Sequence, residues 1–145
     1  MKGVIRMMQE IITHHFVKSE DLNHHGTLFA GRTAEWFIEA GLMAAAQYLD
    51  PANIVCAKVH GMHFQHPIQL GAIIKFVSRA VYAGTSSLIV NVVLYNEDVE
   101  ILNDFISFVH VDEKGKATPH HVVITAETEE EKKLQEKAIE LKKNR

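Results

Sequence analysis

The sequence predicts an α+β fold in which a curled antiparallel β-sheet wraps around one long central helix. Four apolar runs rich in β-branched residues follow one another between residues 54 and 111, and short turns separate them, which is typical of antiparallel strands. One long helix, from about Arg32 to Leu49, precedes them. Its segment Ala40–Ala46 reads AGLMAAA and is apolar on every face, so the helix should be buried.

The turn residues set the limits of each element. A first strand is predicted at Met8–Val17, and the long helix should end ahead of Asp50-Pro51 because a residue before proline avoids helical backbone. Four further strands are predicted at Ile54–Phe64, Ala72–Tyr82, Ser87–Tyr95 and Ile101–Val111. A sheet of this size leaves strand edges and apolar helix surface uncovered, so we expect at least a homodimer.

The C-terminal residues predict a second, charged helix. Thr128 and Glu131 have the spacing of a capping box. Six acidic and six basic residues between Glu127 and Arg145 leave the helix without net charge. We therefore expect a single domain at residues 1–124 and a peripheral helix at residues 125–145 that packs on the same domain or contacts another subunit.

Composition excludes several classes of protein. The chain has 145 residues, 47% of them hydrophobic, and a net charge of −3, which argues against a nucleic-acid partner. Its apolar runs are shorter than the ~18 residues that span a membrane, and its first residues lack the apolar core of a secretory signal. A single cysteine, Cys56, allows no internal disulfide. We expect a cytoplasmic protein.

The segment Glu20–Gly41, EDLNHHGTLFAGRTAEWFIEAG, is the candidate site. Asn23 lies in a polar loop, and Gly31 opens a helix whose first N–H groups lack intrahelical acceptors. Glu39 is a carboxylate inside an apolar helix, where such a group is paired, perturbed or catalytic. Together these groups are suited to polarising a carbonyl and activating water.

Each of these residues also has a simpler interpretation. Asn23 is a residue type that commonly forms turns, and Gly31 is small enough to serve only as a steric opening at the helix start. Glu39 continues a stripe begun by Arg32 and Glu35 that would face solvent.

The ten histidines predict no metal centre. His60, His63 and His66 are spaced by three residues, and on a strand that spacing alternates faces. The sequence contains no metal-ligand spacing of His and Cys. Cys56 lies in an apolar run without a neighbouring base, which is typical of an inert cysteine.

Five segments, in order along the chain, resemble the hotdog-fold acyl-CoA thioesterases of the acyl-CoA hydrolase branch. They are SEDLNHHGTLFAG (Ser19–Gly31), EWFIEAG (Glu35–Gly41), VHGMHFQHPIQLG (Val59–Gly71), AGTSSL (Ala83–Leu88) and FVHVDEKGKATP (Phe108–Pro119). The resemblance implies a hotdog fold, an active dimer that often assembles as a trimer of dimers, and hydrolysis of acyl-CoA without a metal or organic cofactor.

The resemblance also assigns residues. Asn23 matches the family's loop asparagine, and Gly31 matches the second glycine of its Gly-Gly pair, with Ala30 in place of the first. The family's helix carboxylate falls on Ile38, and Glu39 lies one residue later. A CoA-binding role is implied for Gly61 and Met62 and for the turn Gly84, Thr85 and Ser86.

The expected function is hydrolysis of an acyl-CoA to free acid and CoA. Gly31 would polarise the carbonyl, Glu39 would act as general base or nucleophile, and Asn23 from the other subunit would orient water or the carbonyl. Two alternatives stay open: a hotdog lyase such as a dehydratase acting on acyl thioesters, and a non-catalytic acyl-CoA-binding module, which Ile38 favours.

Overall fold

The computed structural model describes residues 3–143. Within these residues, seven strands and two α-helices follow one another. They are β1 (Val4–Met7), β2 (Glu10–Phe16), α1 (Ala30–Ala45), β3 (Ile54–His60), β4 (Ile73–Ala83), β5 (Ser87–Asn96), β6 (Val99–His110), β7 (Val122–Thr125) and α2 (Glu129–Lys143).

The main sheet has five antiparallel strands in the order β2-β4-β5-β6-β3. Register shifts in the β4–β5, β5–β6 and β3–β6 pairs bend and twist the strands locally. Helix α1 packs on one face of this sheet against β2, β4, β5 and β6, and we call this the concave face. The predicted fold, a curled antiparallel sheet around one long helix, is confirmed.

One face of α1 forms the core contact with the sheet. Seven of its residues are buried: Thr33, Trp36, Phe37, Ala40, Gly41, Ala44 and Ala45. At Gly41, an added Cβ would lie 2.8 Å from Cδ1 of Ile106 and 3.4 Å from the Phe108 ring. Glycine therefore lets the helix approach β6 closely, as the small residues of this helix predict.

Two details of α1 differ from expectation. The helix runs Ala30–Ala45 rather than Arg32–Leu49, since the residues leading to Asp50 form turns. Its outer face is also exposed in the single chain, where Glu39 lies in the open and Met43 is 39% exposed. The expectation of burial on every side is therefore wrong for the isolated chain.

Strand β3 ends at His60 rather than Phe64. Gly61, the next residue, has a φ of +82°, a conformation that L side chains rarely adopt and that terminates the extended run. The residues after it leave the sheet and turn toward the start of α1, which changes where the following histidines point.

Strands β1 and β7 form a separate parallel pair that the sequence did not predict. Each has only four residues, too few to show an alternation, and the pairing joins distant parts of the chain. The pair packs beside β4.

Helix α2 covers the opposite, convex face of the sheet. Ala138 is fully buried in a cluster with Val81, Ile89 and Phe105. The predicted capping box is present, since the Glu131 N–H donates to Thr128 Oγ1 at 3.1 Å and the Thr128 N–H donates to Glu131 Oε1 at 3.3 Å. Asn144 and Arg145 of the predicted tail lie outside the described residues. No helix in residues 3–143 is long and apolar enough to span a membrane.

Candidate active site

A cavity of about 270 Å³ opens at the N-terminal end of α1. Its wall comes from the loop before α1, the first turns of α1, the segment after β3 and the start of β6. The lining residues are Asn23, Thr27, Leu28, Ala30, Thr33, His63, Phe64, His66, Pro67, Ile68, Ile101 and Leu102. Amide, hydroxyl and imidazole groups thus share the cavity with apolar side chains.

Asn23 shapes the loop that forms one wall. Its Oδ1 accepts hydrogen bonds from the N–H groups of His25, at 2.9 Å, and Thr27, at 3.2 Å, while its Nδ2 donates to Thr27 Oγ1 at 3.2 Å. The turn-forming interpretation is therefore correct for its oxygen. Within residues 3–143 the second Nδ2 proton has no acceptor, so it is free to donate into the cavity.

Asp21, which no sequence pattern indicated as a site residue, connects this loop to the helix. Its side chain is only 1% exposed, and its carboxylate accepts hydrogen bonds from Arg32 Nη1 and from the Lys18 N–H, both at 2.9 Å. The Phe29 N–H donates to its carbonyl at 2.9 Å. One indication of this ion pair is present in the sequence, since Asp21 lies between two basic residues, Lys18 and Arg32.

The start of α1 presents free backbone donors. Among the described residues the N–H groups of Ala30 and Gly31 have no acceptor, and Phe29 provides no side-chain cap. An added Cβ at Gly31 would lie 2.5 Å from the Phe29 ring, so any larger residue here would have to displace that exposed ring. These donors lie at the positive end of the helix dipole, beside the cavity that Ala30 lines.

Glu39 lies away from the cavity in the single chain. It is exposed and does not line the cavity. Its charge acts on His15 of β2, whose ring stacks on Trp36. Burial lowers the pKa of His15, and Glu39 partly opposes that effect. Ile38 instead packs against the core.

His63 and His66 both line the cavity. The expectation that they alternate faces assumed a strand through Phe64 and is wrong for these two, because β3 ends at His60. Within residues 3–143 no group of three or more His, Cys, Asp and Glu residues could hold a metal ion.

The predicted CoA-binding residues lie at two ends of the sheet. Gly61 and Met62 lead directly into the cavity segment. The turn Gly84–Ser86 precedes Ser87, which pairs with Val109, whereas the cavity lies near the Leu94–Leu102 pair. Seven residues of strand, about 23 Å, separate the two ends, so the single chain does not bring them together.

The Gly84–Ser86 turn has a cationic neighbour. An added Cβ at Gly84 would collide with Lys142 Nζ and Ser87 Oγ, which shows how closely these groups approach the turn. Ser87 Oγ is buried without a hydrogen-bond partner among the described residues. The ammonium group of Lys142 and this hydroxyl are groups that can bind a phosphate.

Comparison with known proteins decides the family. The model of the thioesterase superfamily matches residues 25–102, which is more than half of the chain. The chain belongs to the thioesterase superfamily. The matched region of this thioesterase contains α1, most of the cavity wall and strands β3, β4 and β5.

Two relatives of this thioesterase are named as acyl-CoA thioester hydrolases. The uncharacterized acyl-CoA thioester hydrolase YkhA of Bacillus subtilis is 29% identical over 126 residues, covering 83% of this chain and 72% of the relative. The cytosolic acyl coenzyme A thioester hydrolase of Rattus norvegicus is 27% identical over 127 residues and covers 82% of this chain. The aligned region is 33% of that rat protein, so this thioesterase spans about a third of its length.

Solved structures share the whole fold. An acyl-CoA hydrolase from Staphylococcus aureus, as an asparagine-to-alanine mutant in complex with coenzyme A, superposes with a TM-score of 0.85 at 25% identity, covering 99% of this chain and 91% of the other. An apo-hexameric acyl-CoA thioesterase gives a TM-score of 0.79 at 27% identity, covering 93% and 89%. The predicted hotdog fold and thioester hydrolase activity are thereby confirmed.

Proposed function

We propose that this thioesterase hydrolyses the thioester of an acyl-CoA to a free acid and CoA, with water as the only other reactant. One observation carries the proposal. A cavity lined by a free amide donor of Asn23 lies beside the uncapped N–H groups of Ala30 and Gly31. Donors arranged in this way stabilise the negative oxygen that forms when water attacks a thioester carbonyl.

The proposed roles follow from these donors. The thioester oxygen lies near the N–H groups at the start of α1, where Gly31 and Ala30 polarise it. Asn23 donates its second Nδ2 proton to the same oxygen or to the attacking water. Its Oδ1 is already occupied by the loop, so only the donor side of this amide is available to a substrate.

The proposed active unit is at least a homodimer, and a hexamer is the proposed assembly. The exposed outer face of α1 and the β3 edge, where Val55 is 47% exposed, are apolar surfaces that a second subunit can cover. The solved thioesterase cited above is hexameric. We propose that this assembly also brings a Gly84–Ser86 turn of one subunit toward the cavity of another, because the two lie at opposite ends of the strands in the single chain.

The CoA moiety is assigned to two segments. We propose that Gly61 and Met62 contact the pantetheine, since they lead into the cavity. We propose that Gly84, Thr85 and Ser86, with the nearby Lys142, contact the phosphates. The proposed location is the cytoplasm, which supplies acyl-CoA and agrees with the cytosolic designation of the rat relative.

The helix carboxylate is the part of the site that differs. In the Staphylococcus aureus hydrolase, alanine mutants were made of an asparagine and of an aspartate fifteen residues later. Fifteen residues after Asn23, this thioesterase has Ile38. The assignment of Glu39 as base or nucleophile stays a prediction. Its side chain is rotated by ~100° around α1 from that of Ile38 and is exposed.

A panel of acyl-CoAs from short to long chains tests the function. We expect free thiol to appear together with an equal amount of free acid. Binding of acyl-CoA without thiol release would favour the non-catalytic binding module that Ile38 suggests. Loss of an enoyl double bond without thiol release would favour a hydratase or dehydratase, for which His63 and His66 in the cavity provide candidate acid–base groups.

Two variants of Asn23 separate its roles. Asn23→Asp keeps an oxygen acceptor for the His25 and Thr27 N–H groups and removes the amide donor, whereas Asn23→Ala removes both. If the donor stabilises the oxyanion, both variants should lower kcat by ~10²-fold, the scale of losing one such donor. An active Asn23→Asp variant would limit Asn23 to its turn-forming role.

A further inference from the structure

Asp104 is an acidic side chain on the apolar concave face of β6. Side chains alternate along a strand, so Asp104 shares its face with Leu102, Ile106 and Phe108. These three neighbours are at most 5% exposed and belong to the main core. Asp104 itself is half-buried. Leu102, the preceding residue on this face, lines the cavity at the start of α1. Asp104 does not line that cavity itself but lies two residues further along the same face of β6.

The Asp104 carboxylate makes almost no ion pair or hydrogen bond within the described residues. Among the described residues no Lys, Arg or His nitrogen lies within ion-pair distance of it, and it accepts one hydrogen bond, from the Phe105 N–H, at 3.3 Å. Gly61, the residue that follows β3, lies against it, since an added Cβ there would be 3.0 Å from Asp104 Oδ2. A structural carboxylate in this position would have been expected to pair.

The environment also changes the acidity of this group. Burial raises the pKa of the Asp104 carboxyl. The Phe105 N–H and the side chains of His63, Lys137 and His60 act in the opposite direction without cancelling the effect of burial. His63 lines the cavity, which places Asp104 within electrostatic range of the cavity wall.

The packing of α1 on β6 aligns Asp104 with Ile38. Thr33 and Leu102 line the cavity together, and Gly41 packs on Ile106. The helix advances about 12 Å from Thr33 to Gly41, and the strand advances about 13 Å from Leu102 to Ile106. Asp104, midway along that strand segment, is therefore level with positions 37 and 38 of the helix. Ile38 lies on the flank of α1 that also carries Gly41, toward β6.

We propose that Asp104 of the sheet is the general base of this thioesterase, in place of the helix carboxylate that Ile38 replaces. The inference rests on the proposed acyl-CoA hydrolysis. Asp104 takes a proton from water as the water oxygen bonds to the thioester carbonyl carbon. The oxyanion is held at the start of α1. The C–S bond then breaks, and Asp104 returns the proton to the departing sulfur, giving free acid and the CoA thiol.

The test compares carboxylate-to-amide variants in a thiol-release assay. Asp104→Asn should lower kcat by ~10²–10⁴-fold, the scale of a lost general base, while binding of a non-hydrolysable thioether analogue of acyl-CoA stays unchanged. Asp98→Asn is the matched control, because Asp98 is exposed in the β5–β6 turn and makes the same change of charge. It should keep the wild-type kcat.

The pH profile gives a second readout that does not depend on folding of the variant. The wild-type rate should rise with pH through a pKa above the ordinary carboxyl value of about 4. Full activity in Asp104→Asn, or a loss confined to Glu39→Gln, would overturn the assignment of Asp104 and leave acyl-CoA hydrolysis standing. A wild-type protein that releases no thiol from any acyl-CoA would overturn the proposed function and with it this base.

Discussion

The imidazole of His15 stacks on the indole of Trp36, with ring centroids 4.2 Å apart and planes 12° apart. The same imidazole meets Phe76 edge-on at 5.8 Å. This stack joins the edge strand β2 to α1 and places a titratable group in the aromatic part of the core. Glu39, one turn beyond Trp36, acts on this histidine by charge, which gives Glu39 a role apart from the cavity.

Acidification should weaken this stack. Burial lowers the pKa of His15, so its neutral form stabilises the fold at pH values above the unfolded value of about 6.5, and that contribution is lost as pH falls through the folded pKa. We predict that His15→Phe loses less stability than the wild type between pH 7 and pH 5. Thermal unfolding at the two pH values measures this, and equal losses in both proteins would contradict it.

Glu39 should raise the pKa of the same histidine. Its negative charge favours the imidazolium form of His15, so Glu39→Gln should lower the His15 pKa further. Titration of the imidazole by NMR measures the change, with Glu35→Gln, a second exposed acid of α1, as the control. If Glu39→Gln leaves the His15 titration unaltered, the proposed electrostatic contact is absent.

The buried carboxylate of Asp21 should hold the site loop. Asp21→Asn replaces an acceptor of the Arg32 and Lys18 hydrogen bonds by an amide that can satisfy only part of them. We expect a loss of about 1–3 kcal/mol in the free energy of unfolding, measured in urea, together with slower thiol release. The neighbouring Glu20 is exposed, so Glu20→Gln should alter neither property; a harmless Asp21→Asn would mean that the loop is held by other contacts.

Much of the fold follows directly from local pattern. Apolar runs rich in β-branched residues and the turn residues between them predict β4, β5 and β6, and the apolar helix with its small residues predicts α1. The β1–β7 pair was missed because its strands are short and pair across almost the whole chain. The outer face of α1 is exposed in the single chain, and its proposed burial needs a second subunit, which the pattern of one chain does not place.

The site was predicted less completely than the fold. Asn23 and the free N–H of Gly31 follow from loop and helix-start chemistry. His63 and His66 were missed because one glycine, Gly61, ends β3 early and redirects the chain. The sequence did not indicate Asp104, because its proposed role rests on the packing of α1 on β6 and not on any spacing in the sequence.

Gly61 should matter through its contact with Asp104. Gly61→Ala introduces a strained positive φ and a Cβ 3.0 Å from the carboxylate. Gly115→Ala is the matched control, because Gly115 has a φ of +80° and nothing within 4 Å of its would-be Cβ. Each variant should lose about 1–2 kcal/mol of stability from backbone strain, but only Gly61→Ala should also lower kcat. Equal kcat values in the two variants would separate Gly61 from the chemistry.

Removal of the Asp104 charge should stabilise the fold at neutral pH. Burial raises the folded pKa of Asp104, so its ionised form opposes folding above that pKa, and the cost disappears below the unfolded value of about 4. Asp104→Asn should therefore unfold at a higher temperature than the wild type at pH 7 and lose that advantage near pH 3. A lower unfolding temperature at pH 7 would show that the carboxylate has a stabilising partner.

In the proposed mechanism, the carboxylate of Asp104 on the sheet replaces a general base on the helix, at the level of Ile38. The direct measurement is the kcat for thiol release by the double variant Ile38→Asp/Asp104→Asn, compared with Asp104→Asn alone. Returning a carboxylate to the helix should make the kcat of the double variant at least tenfold higher than that of Asp104→Asn, which is within the range of general-base catalysis. A double variant as slow as Asp104→Asn, with analogue binding intact in both, would contradict the claim.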